Sequence, residues 1–178
     1  MTDSNDPSGD APNEAPDDTG GPQSVGPADG APHVQVHAQY VKDLSFENPE
    51  APHSLATQGK PPSIEVSVDV GARGLAPGQF EVELRITAHA AQEDKKAFVV
   101  EVQYAGVFSL HNVPESELKQ VCLIECPRLL FPFARRIVAD ATRDGGFPPL
   151  LLEPIDFMAL FRQSADNEAE TDAGAPQA

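Results

Sequence analysis

The 178-residue chain has no Trp, only two Cys and two Tyr, and 12 Lys and Arg against 28 Asp and Glu. The shortage of bases argues against DNA or RNA as a partner, because nucleic-acid binding needs a cationic face that displaces counterions from phosphates. No apolar run approaches the roughly 18 residues of a membrane-spanning helix, and the acidic N-terminus lacks the apolar stretch of a signal peptide. We therefore expect a cytoplasmic protein with free thiols at Cys122 and Cys126.

The patterns that mark an active site are also missing. There is no nucleophile elbow or dinucleotide fingerprint, and GARGLAPG is not followed by the Lys-Ser/Thr pair of a phosphate loop. His33 and His37 have the spacing of two zinc ligands on a helix, but in a strand such positions lie about 13 Å apart. Cys122 and Cys126 have no further ligands nearby, and small core residues are the simpler interpretation. We predict no enzyme activity, no cofactor and no metal.

Carboxylates alternate with apolar residues along several predicted strands. A glycosidase-type pair would need a cleft and a raised pKa, whereas the polar side of an amphipathic strand is ordinarily solvated. The carboxylates expected to form a flat, solvated acidic face are Glu65, Asp69, Glu81, Glu83 and Glu101. Such a face suits a basic partner better than a catalytic site.

Both ends of the chain are acidic and poor in large apolar residues. Residues 1–32 contain seven acids, six prolines and no Lys or Arg, and residues 163–178 contain four acids and no base. Such segments bury too little apolar surface to offset the chain entropy lost on folding. We predict two disordered tails, 1–32 and 163–178, around one domain at 33–162 that carries a net charge of about −5.

From about residue 34 to residue 110 the hydrophobic period is two. SIEVSVDV, QFEVELRITAHA and AFVVEVQY place apolar and polar residues on opposite sides, which predicts antiparallel strands covered on one face. The segments 71–79 and 90–96 between them have the length of hairpin connections. VQVHAQYVKDLSFENP alternates more loosely and predicts a fourth strand. The proline-rich segment 48–62 is longer than a hairpin needs, which indicates either a first strand that leaves its neighbour or a function of the loop itself.

From Pro114 onward the apolar spacing becomes helical. Pro114 precedes acidic residues, as at a helix N-terminus, and an amphipathic stripe follows Pro127 and stops at Gly145-Gly146. EPIDFMALFRQ predicts a last short helix, and Pro127 either begins a helix or kinks a continuous one. The fold class is therefore α+β, a four-stranded antiparallel sheet covered on one face by helices. The outer apolar side of the main helix is left for another subunit.

Four segments closely resemble the SecB family of protein-export chaperones. They are YVKDLSFENPEAPH at 40–53, FVVEVQYAGVFSL at 98–110, CPRLLFPFARRIV at 126–138 and GGFPPLLLEPIDFMALF at 145–161. The resemblance implies a SecB-like homotetramer, a dimer of dimers with helices between its sheets. It also implies an ATP-independent chaperone that binds unfolded precursor proteins, keeps them competent for translocation and delivers them to the SecA motor of the Sec pathway.

The resemblance further assigns roles to matching positions. In the family, an acidic sheet face receives the zinc-binding, basic C-terminal segment of SecA, and the matching residues are Asp43, Glu47, Val99 and Glu101. Positions whose alteration weakens the tetramer match Val100, Val102 and Tyr104. The client groove matches Phe46, Leu55, Leu129, Phe133, Phe147, Leu150, Leu152, Phe157 and Leu160. Each groove residue has two interpretations, contact with client or packing in the core.

Three other functions fit parts of the pattern. A SecB-like chaperone dedicated to a single antitoxin partner would share the fold and the groove. A small α+β acyl-binding enzyme would use an apolar cleft, and a purely structural oligomer would use only the outer helix surface. The resemblance favours the export chaperone, with no nucleic-acid partner and no direct insertion into the membrane.

Overall fold

The structure is a computed structural model that describes residues 30–55, 61–92 and 95–173. Strands come first and helices follow, which confirms the predicted α+β order. The strands are β1 (His33–Glu47), β2 (Ser63–Ala76), β3 (Gln79–Gln92) and β4 (Lys95–His111), and a short 3-10 helix lies at His53–Leu55. The helical part comprises α1 (Glu115–Gln120), a π-helical segment (Val121–Glu125), α2 (Cys126–Asp144) and α3 (Phe157–Ala173).

The strands form one antiparallel sheet in the order β1-β4-β3-β2. Strands β2, β3 and β4 are neighbours in sequence and in space, whereas β1 pairs with β4. The chain therefore crosses from one edge of the sheet to the other between β1 and β2, as the length of segment 48–62 predicted. Both β1 and β2 are edge strands of the single subunit.

The turn between β2 and β3 is shorter than the sequence predicted. Strand β2 continues through Gly71 and Gly74 to Ala76, so the predicted connection at 71–79 is wrong in its extent. A glycine still supplies the N–H and C=O that a sheet ladder needs, and it forces a turn only where the backbone turns left-handed. That happens at Gly78, whose φ is 71°.

Strand β1 contains two β-bulges, and they explain its loose alternation. The register with β4 shifts at His37 and again at Lys42, so each is an extra residue with no partner opposite. Each bulge exchanges the faces of the residues that follow it. The β1 side chains that share the helix-covered face are Val34, Val36, Gln39, Val41, Leu44 and Phe46. Because of the second bulge, Asp43 and Glu47 lie on the opposite face.

The helical run is continuous from α1 through α2, so Pro127 lies inside a helix and does not begin one. Proline has no N–H and its ring clashes with the carbonyl four residues earlier, here that of Leu123. The chain avoids this clash with the π-helical turn, in which the N–H of Cys126 donates to the carbonyl of Val121. Pro132 also lies inside α2, on its exposed side.

The core lies between the helices and the central strands β3 and β4. Its largest fully buried side chains are Phe98, Phe108, Phe157, Leu84, Ile86, Ile124 and Leu130. Close packing of α2 on the sheet requires Gly106, because a Cβ there would lie 2.8 Å from the ring of Phe108 and 3.0 Å from Leu130. Burying a side chain of this size stabilises the fold by about 1.5–3 kcal/mol.

Helix α3 is longer than the sequence predicted. It runs to Ala173, past the predicted boundary of the domain at 162 and into the segment predicted to be a disordered tail. The segment QSADNEAETDA contains no Pro or Gly, and its alanines and glutamates favour helix even without an apolar stripe. Residues 1–29 and 174–178 lie outside the described residues, and their predicted disorder stays a prediction.

Candidate binding surfaces

One half of the open sheet face, the face without helices, carries the four residues predicted to contact SecA. The register places Ser45 opposite Glu101 and Glu47 opposite Val99. Asp43 lies two residues along the same face, so Glu101 is diagonal to both β1 carboxylates, at about 7–8 Å. We call Asp43, Glu47 and Glu101 the acidic triad.

The acidic triad is exposed and electrically uncompensated. None of its three carboxylates forms an ion pair or a side-chain hydrogen bond within the described residues. Val99 lies beside them with 6% of its surface exposed, between Glu47 on β1 and His89 on β3. The structure therefore brings together three free negative charges and one apolar side chain on a flat surface.

The other half of the open face carries a network of ion pairs, which we call the Glu81 cluster. Arg73 Nε donates to Glu81 Oε2 at 2.5 Å, and Tyr40 Oη donates to Glu81 Oε1. Lys42 Nζ lies 2.7 Å from Glu83 Oε2 and 3.5 Å from Glu81 Oε2. The cluster is completed by Arg85, whose Nη2 lies 3.2 Å from Glu83 Oε1.

The Glu81 cluster reaches across the whole sheet. Arg73 belongs to β2, Glu81 to β3 and Tyr40 to β1, although β4 lies between β1 and β3. The crossing is possible because Ala105 on β4 pairs with both Tyr40 and Glu83 and presents only a methyl group. Ala105 is fully buried on a face that no helix covers, so the cluster acts as its cover.

Glu81 does not match the expectation of a solvated carboxylate. Its side chain is only 5% exposed, and the hydrogen bonds from Arg73 and then Tyr40 lower its pKa to about 2. Glu83 is also half-buried and ion-paired. The other carboxylates expected on this face, Glu65, Asp69 and Glu101, are exposed as predicted. Sequence alternation identifies the face of a residue but not a partner that arrives from two strands away.

The helix-covered side carries an aromatic cluster at one end of the sheet. The rings of Phe46, Phe98 and Phe147 lie 4.8–6.4 Å apart, centroid to centroid. Phe46 comes from β1 and Phe147 from the segment after α2, and both are half-buried. Phe98 is buried beneath them. This places two of the predicted client residues on one apolar floor.

A cavity of about 220 Å³ opens beside this floor. Its lining is apolar apart from backbone atoms and consists of Pro61, Pro62, Ile64, Phe98, Phe147, Pro148, Pro149, Leu150 and Leu151. Leu151 is 64% exposed and Leu55, on the 3-10 helix, is 48% exposed. We call this region, together with Phe46, the aromatic groove. Long apolar grooves of this kind accept many sequences because they impose few directional contacts.

Two glycines at the end of α2 keep the aromatic groove open. A Cβ on Gly145 would lie 2.2 Å from the ring of Phe46, and one on Gly146 would lie 2.9 Å from Leu55. Gly146 also has a φ of 88°, which favours glycine. The helix stop predicted at these residues is confirmed, and their absent side chains leave room for Phe46 and Leu55.

Thr142 ties the wall of the aromatic groove to α2. Its hydroxyl donates to the carbonyl of Val138 at 3.0 Å and accepts from the N–H of Leu150 at 2.9 Å. The residue is fully buried. Sequence reasoning did not single out Thr142; a polar residue within the apolar stripe of a predicted helix was the available signal.

The remaining predicted client residues divide into exposed and buried groups. Leu129 and Phe133 lie one turn apart on the outer side of α2, and each is 43% exposed. Leu160 on α3 is half-buried. Leu152 and Phe157 are buried in the core, at 5% and 1% exposure. For these last two, the geometry favours the packing interpretation over direct contact with a client.

The residues predicted to influence the tetramer also lie inside the subunit. Val100 and Val102 are fully buried beneath the helices, and Tyr104 is 8% exposed. The ring of Tyr104 stacks on that of Phe133 at 6.1 Å, and Phe133 is on the exposed side of α2. An effect of these three positions on assembly would therefore pass through the position of α2.

The histidine and cysteine pairs form no recognisable metal site. Both cysteines are buried and free, as predicted, and the hydrogen bond with Cys122 and burial raise the pKa of Cys126. His33 stacks on His111 at 4.6 Å, while His37 bonds to Ser109 at 2.7 Å. Across residues 30–55, 61–92 and 95–173 no three His, Cys, Asp or Glu side chains are grouped to hold a metal.

An acidic open face on one side of a sheet and an apolar groove among the helices on the other define a binding protein with two distinct surfaces. A model of the family described as Preprotein translocase subunit SecB matches residues 27–168. The Protein-export protein SecB of Nitrobacter hamburgensis is 54% identical over 145 residues, covering 80% of this chain and 91% of the relative. That of Azorhizobium caulinodans is 52% identical over 157 residues, covering 88% and 98%.

A solved structure supports the fold. The SecB-like chaperone of Mycobacterium tuberculosis, in complex with a peptide from the HigA1 antitoxin, matches with a TM-score of 0.58 at 18% identity, covering 68% of this chain and 90% of that one. The chain belongs to the SecB family. It is a chaperone of Sec-dependent protein export and not an enzyme, as predicted. Within the part of the chain that is described, no helix is long and apolar enough to cross a membrane.

Proposed function

We propose that the zinc-binding, basic C-terminal segment of SecA docks on the acidic triad, with Val99 as its apolar contact. The observation that carries this proposal is the convergence of Asp43, Glu47 and Glu101 on one flat surface without compensating cations. Three uncompensated carboxylates attract a basic segment over the distance of a Debye length, about 8 Å at physiological salt. Charge complementarity of this kind raises the association rate and selects the partner.

Unfolded precursor proteins bind along the aromatic groove and the exposed side of α2. Phe46, Leu55, Phe147 and Leu150 supply the groove contacts, and Leu129 and Phe133 continue the apolar surface. An unfolded chain presents apolar residues in no fixed order, so several weak sites are more useful than one shaped pocket. When one client engages several sites together, effective concentration converts weak contacts into tight binding without ATP. When a client folds, it buries its apolar segments, and these can no longer bind the chaperone.

The subunits assemble as a dimer of dimers with the helices between the sheets. Apolar side chains with 43–48% exposure support this on α2 and on the helix-covered side of the edge strand β1, namely Val41, Leu44, Leu129 and Phe133. Covering such residues in an oligomer removes an aggregation hazard. Part of the exposed side of α2 then lies in the tetramer interface, and part of it contacts clients. We assign the assembled chaperone to the cytoplasm, where precursors are synthesised.

The two surfaces lie on opposite sides of the sheet, so client and SecA can be bound at once. Client contacts come from the helix layer and the 145–152 segment, whereas the acidic triad belongs to the open face. Delivery then requires no exchange at a shared site. SecA binding brings the client to the motor. The motor can then remove the client by breaking its weak contacts with the chaperone one at a time.

The substitution Glu101→Lys tests the docking site. It reverses the central charge of the acidic triad, and we expect SecA binding to fall at least tenfold while the tetramer and client binding persist. Glu117→Lys, an equal charge change on the exposed side of α1, is the matched control and retains SecA affinity. Titration of SecA by calorimetry and mass measurement by light scattering give the two readouts. Unchanged SecA affinity in Glu101→Lys refutes the proposed site.

Client range separates export from a dedicated antitoxin chaperone. We expect proteins captured on the chain from growing cells to be many secretory precursors. Capture of a single partner would favour the antitoxin-dedicated alternative. Suppression of the aggregation of an unfolded precursor at micromolar concentration is the accompanying measurement, and failure of the tetramer to suppress it contradicts the groove assignment.

A further inference from the structure

The two halves of the open face differ in net charge. The acidic triad contributes three negative charges, none of which forms an ion pair within the described residues. In the Glu81 cluster, by contrast, Lys42, Arg73 and Arg85 outnumber Glu81 and Glu83, and all five take part in ion pairs. A basic segment is therefore attracted at one half and meets a slightly cationic surface at the other.

We propose that the Glu81 cluster is a specificity-determining element that limits a basic partner to the half of the open face around the acidic triad. This rests on the proposed docking site and adds its boundary. Without such a boundary, the carboxylates of β3 would continue the acidic surface, and a basic segment could shift along it. The cluster removes that freedom by neutralising Glu81 and Glu83 in place.

Arg85 is the border residue. The register aligns Asp43 of β1, Gln103 of β4, Arg85 of β3 and Asp69 of β2 in one row across the sheet. Two strand spacings separate Asp43 from Arg85, about 10 Å. The Arg85 side chain is 50% exposed and is paired with Glu83 on the side of this row away from Glu101, so its charge marks the edge of the Glu81 cluster that faces the acidic triad. Arg73 lies farther from the triad, opposite Glu81 and in the row next to that of Glu83. Its side chain is 67% exposed.

The substitution Arg85→Gln tests the boundary and leaves every contact of Glu81 intact. The probe is an acetylated octapeptide with four lysines and a photoreactive benzophenone at one end. We expect the variant to bind this peptide about threefold more tightly than wild type in 50 mM salt, with the gain lost at 0.5 M salt. Cross-links, confined in wild type to the half of the open face around the acidic triad, should extend into the Glu81 cluster.

Arg136→Gln is the matched control, because it removes the same charge from the exposed side of α2, on the opposite side of the molecule. It should leave affinity and cross-links unchanged. If Arg85→Gln behaves like Arg136→Gln, the boundary is refuted while the docking site stands, provided that wild type binds and Glu101→Lys does not. If wild type binds no peptide, both proposals fail. An equal gain in the two Arg variants reflects net charge alone and also overturns the boundary.

Discussion

Glu81→Gln separates the charge of the buried carboxylate from its shape. Glutamine has nearly the same volume, and its single amide oxygen can accept from Arg73 while its NH2 group donates to the hydroxyl of Tyr40. What is lost is the negative charge that holds Arg73 and Lys42 over the sheet. The change in stability therefore measures the electrostatic contribution of the Glu81 cluster.

The magnitude follows from the pKa of Glu81. A pKa lowered from 4.5 to about 2 corresponds to about 3 kcal/mol of stability at neutral pH. Since the Arg73 side chain is 67% exposed, solvent screening reduces the expected loss in Glu81→Gln to about 2 kcal/mol. Because the folded pKa is depressed, this contribution is present above pH 4.5 and is lost as the pH falls from 4.5 toward 2.

Urea unfolding at fixed subunit concentration from pH 7 to pH 3 measures this difference, since assembly makes stability concentration-dependent. Wild type and Glu81→Gln should differ by about 2 kcal/mol at pH 7 and by less than half of that at pH 3. Glu83→Gln is the control; the Glu83 side chain is 22% exposed against 5% for Glu81, and its loss should cost less than about 1 kcal/mol. A difference between wild type and Glu81→Gln that stays constant with pH would refute the electrostatic account.

Two further substitutions test local features of the fold. Deletion of Lys42, the extra residue of the second bulge, leaves Asp43 opposite Gln103 and Glu47 opposite Val99. Both carboxylates therefore stay on the open face, and the deletion should retain the binding of SecA and of clients, as Lys42→Ala should. Loss of SecA binding in the deletion variant alone would contradict the assignment of Lys42 as the residue without a partner. Thr142→Val leaves the N–H of Leu150 without its acceptor, which should cost about 1–3 kcal/mol and speed hydrogen exchange at that amide. Unchanged exchange would show that the wall of the groove is held by other contacts.

The sequence predicts β4 well because its alternation is regular. Val99 and Glu101 were expected on one face and Val100 and Val102 on the other, and the register confirms this. Alternation does not assign the faces of β1, because each of its two bulges adds a residue and exchanges the faces of the positions that follow. A loose alternation signals irregular pairing, but it does not say which residue is the extra one. For Asp43 and Glu47, the resemblance to the family supplied what periodicity could not.

The aromatic groove shows a different limit of sequence reasoning. Phe46 and Phe147 are half-buried at the surface, while Phe157 is in the core, although all three are phenylalanines beside apolar neighbours. Apolar spacing predicts that a residue faces the helix-covered side, and both outcomes satisfy it. The difference depends on how completely α2 and α3 cover each position, which is a property of the tertiary arrangement. Gly145 decides one such case, since any side chain there would collide with Phe46.

The two binding surfaces meet in β4, and this determines which substitutions can be interpreted. Glu101 is exposed, but its neighbours Val100 and Val102 are fully buried under the helices. A change at either valine alters core packing and, through Tyr104 and Phe133, the position of α2. A change at Glu101 alters only the charge of the open face. Loss of SecA binding without loss of assembly is therefore expected from Glu101, and the reverse order of effects is expected from Val100 and Val102.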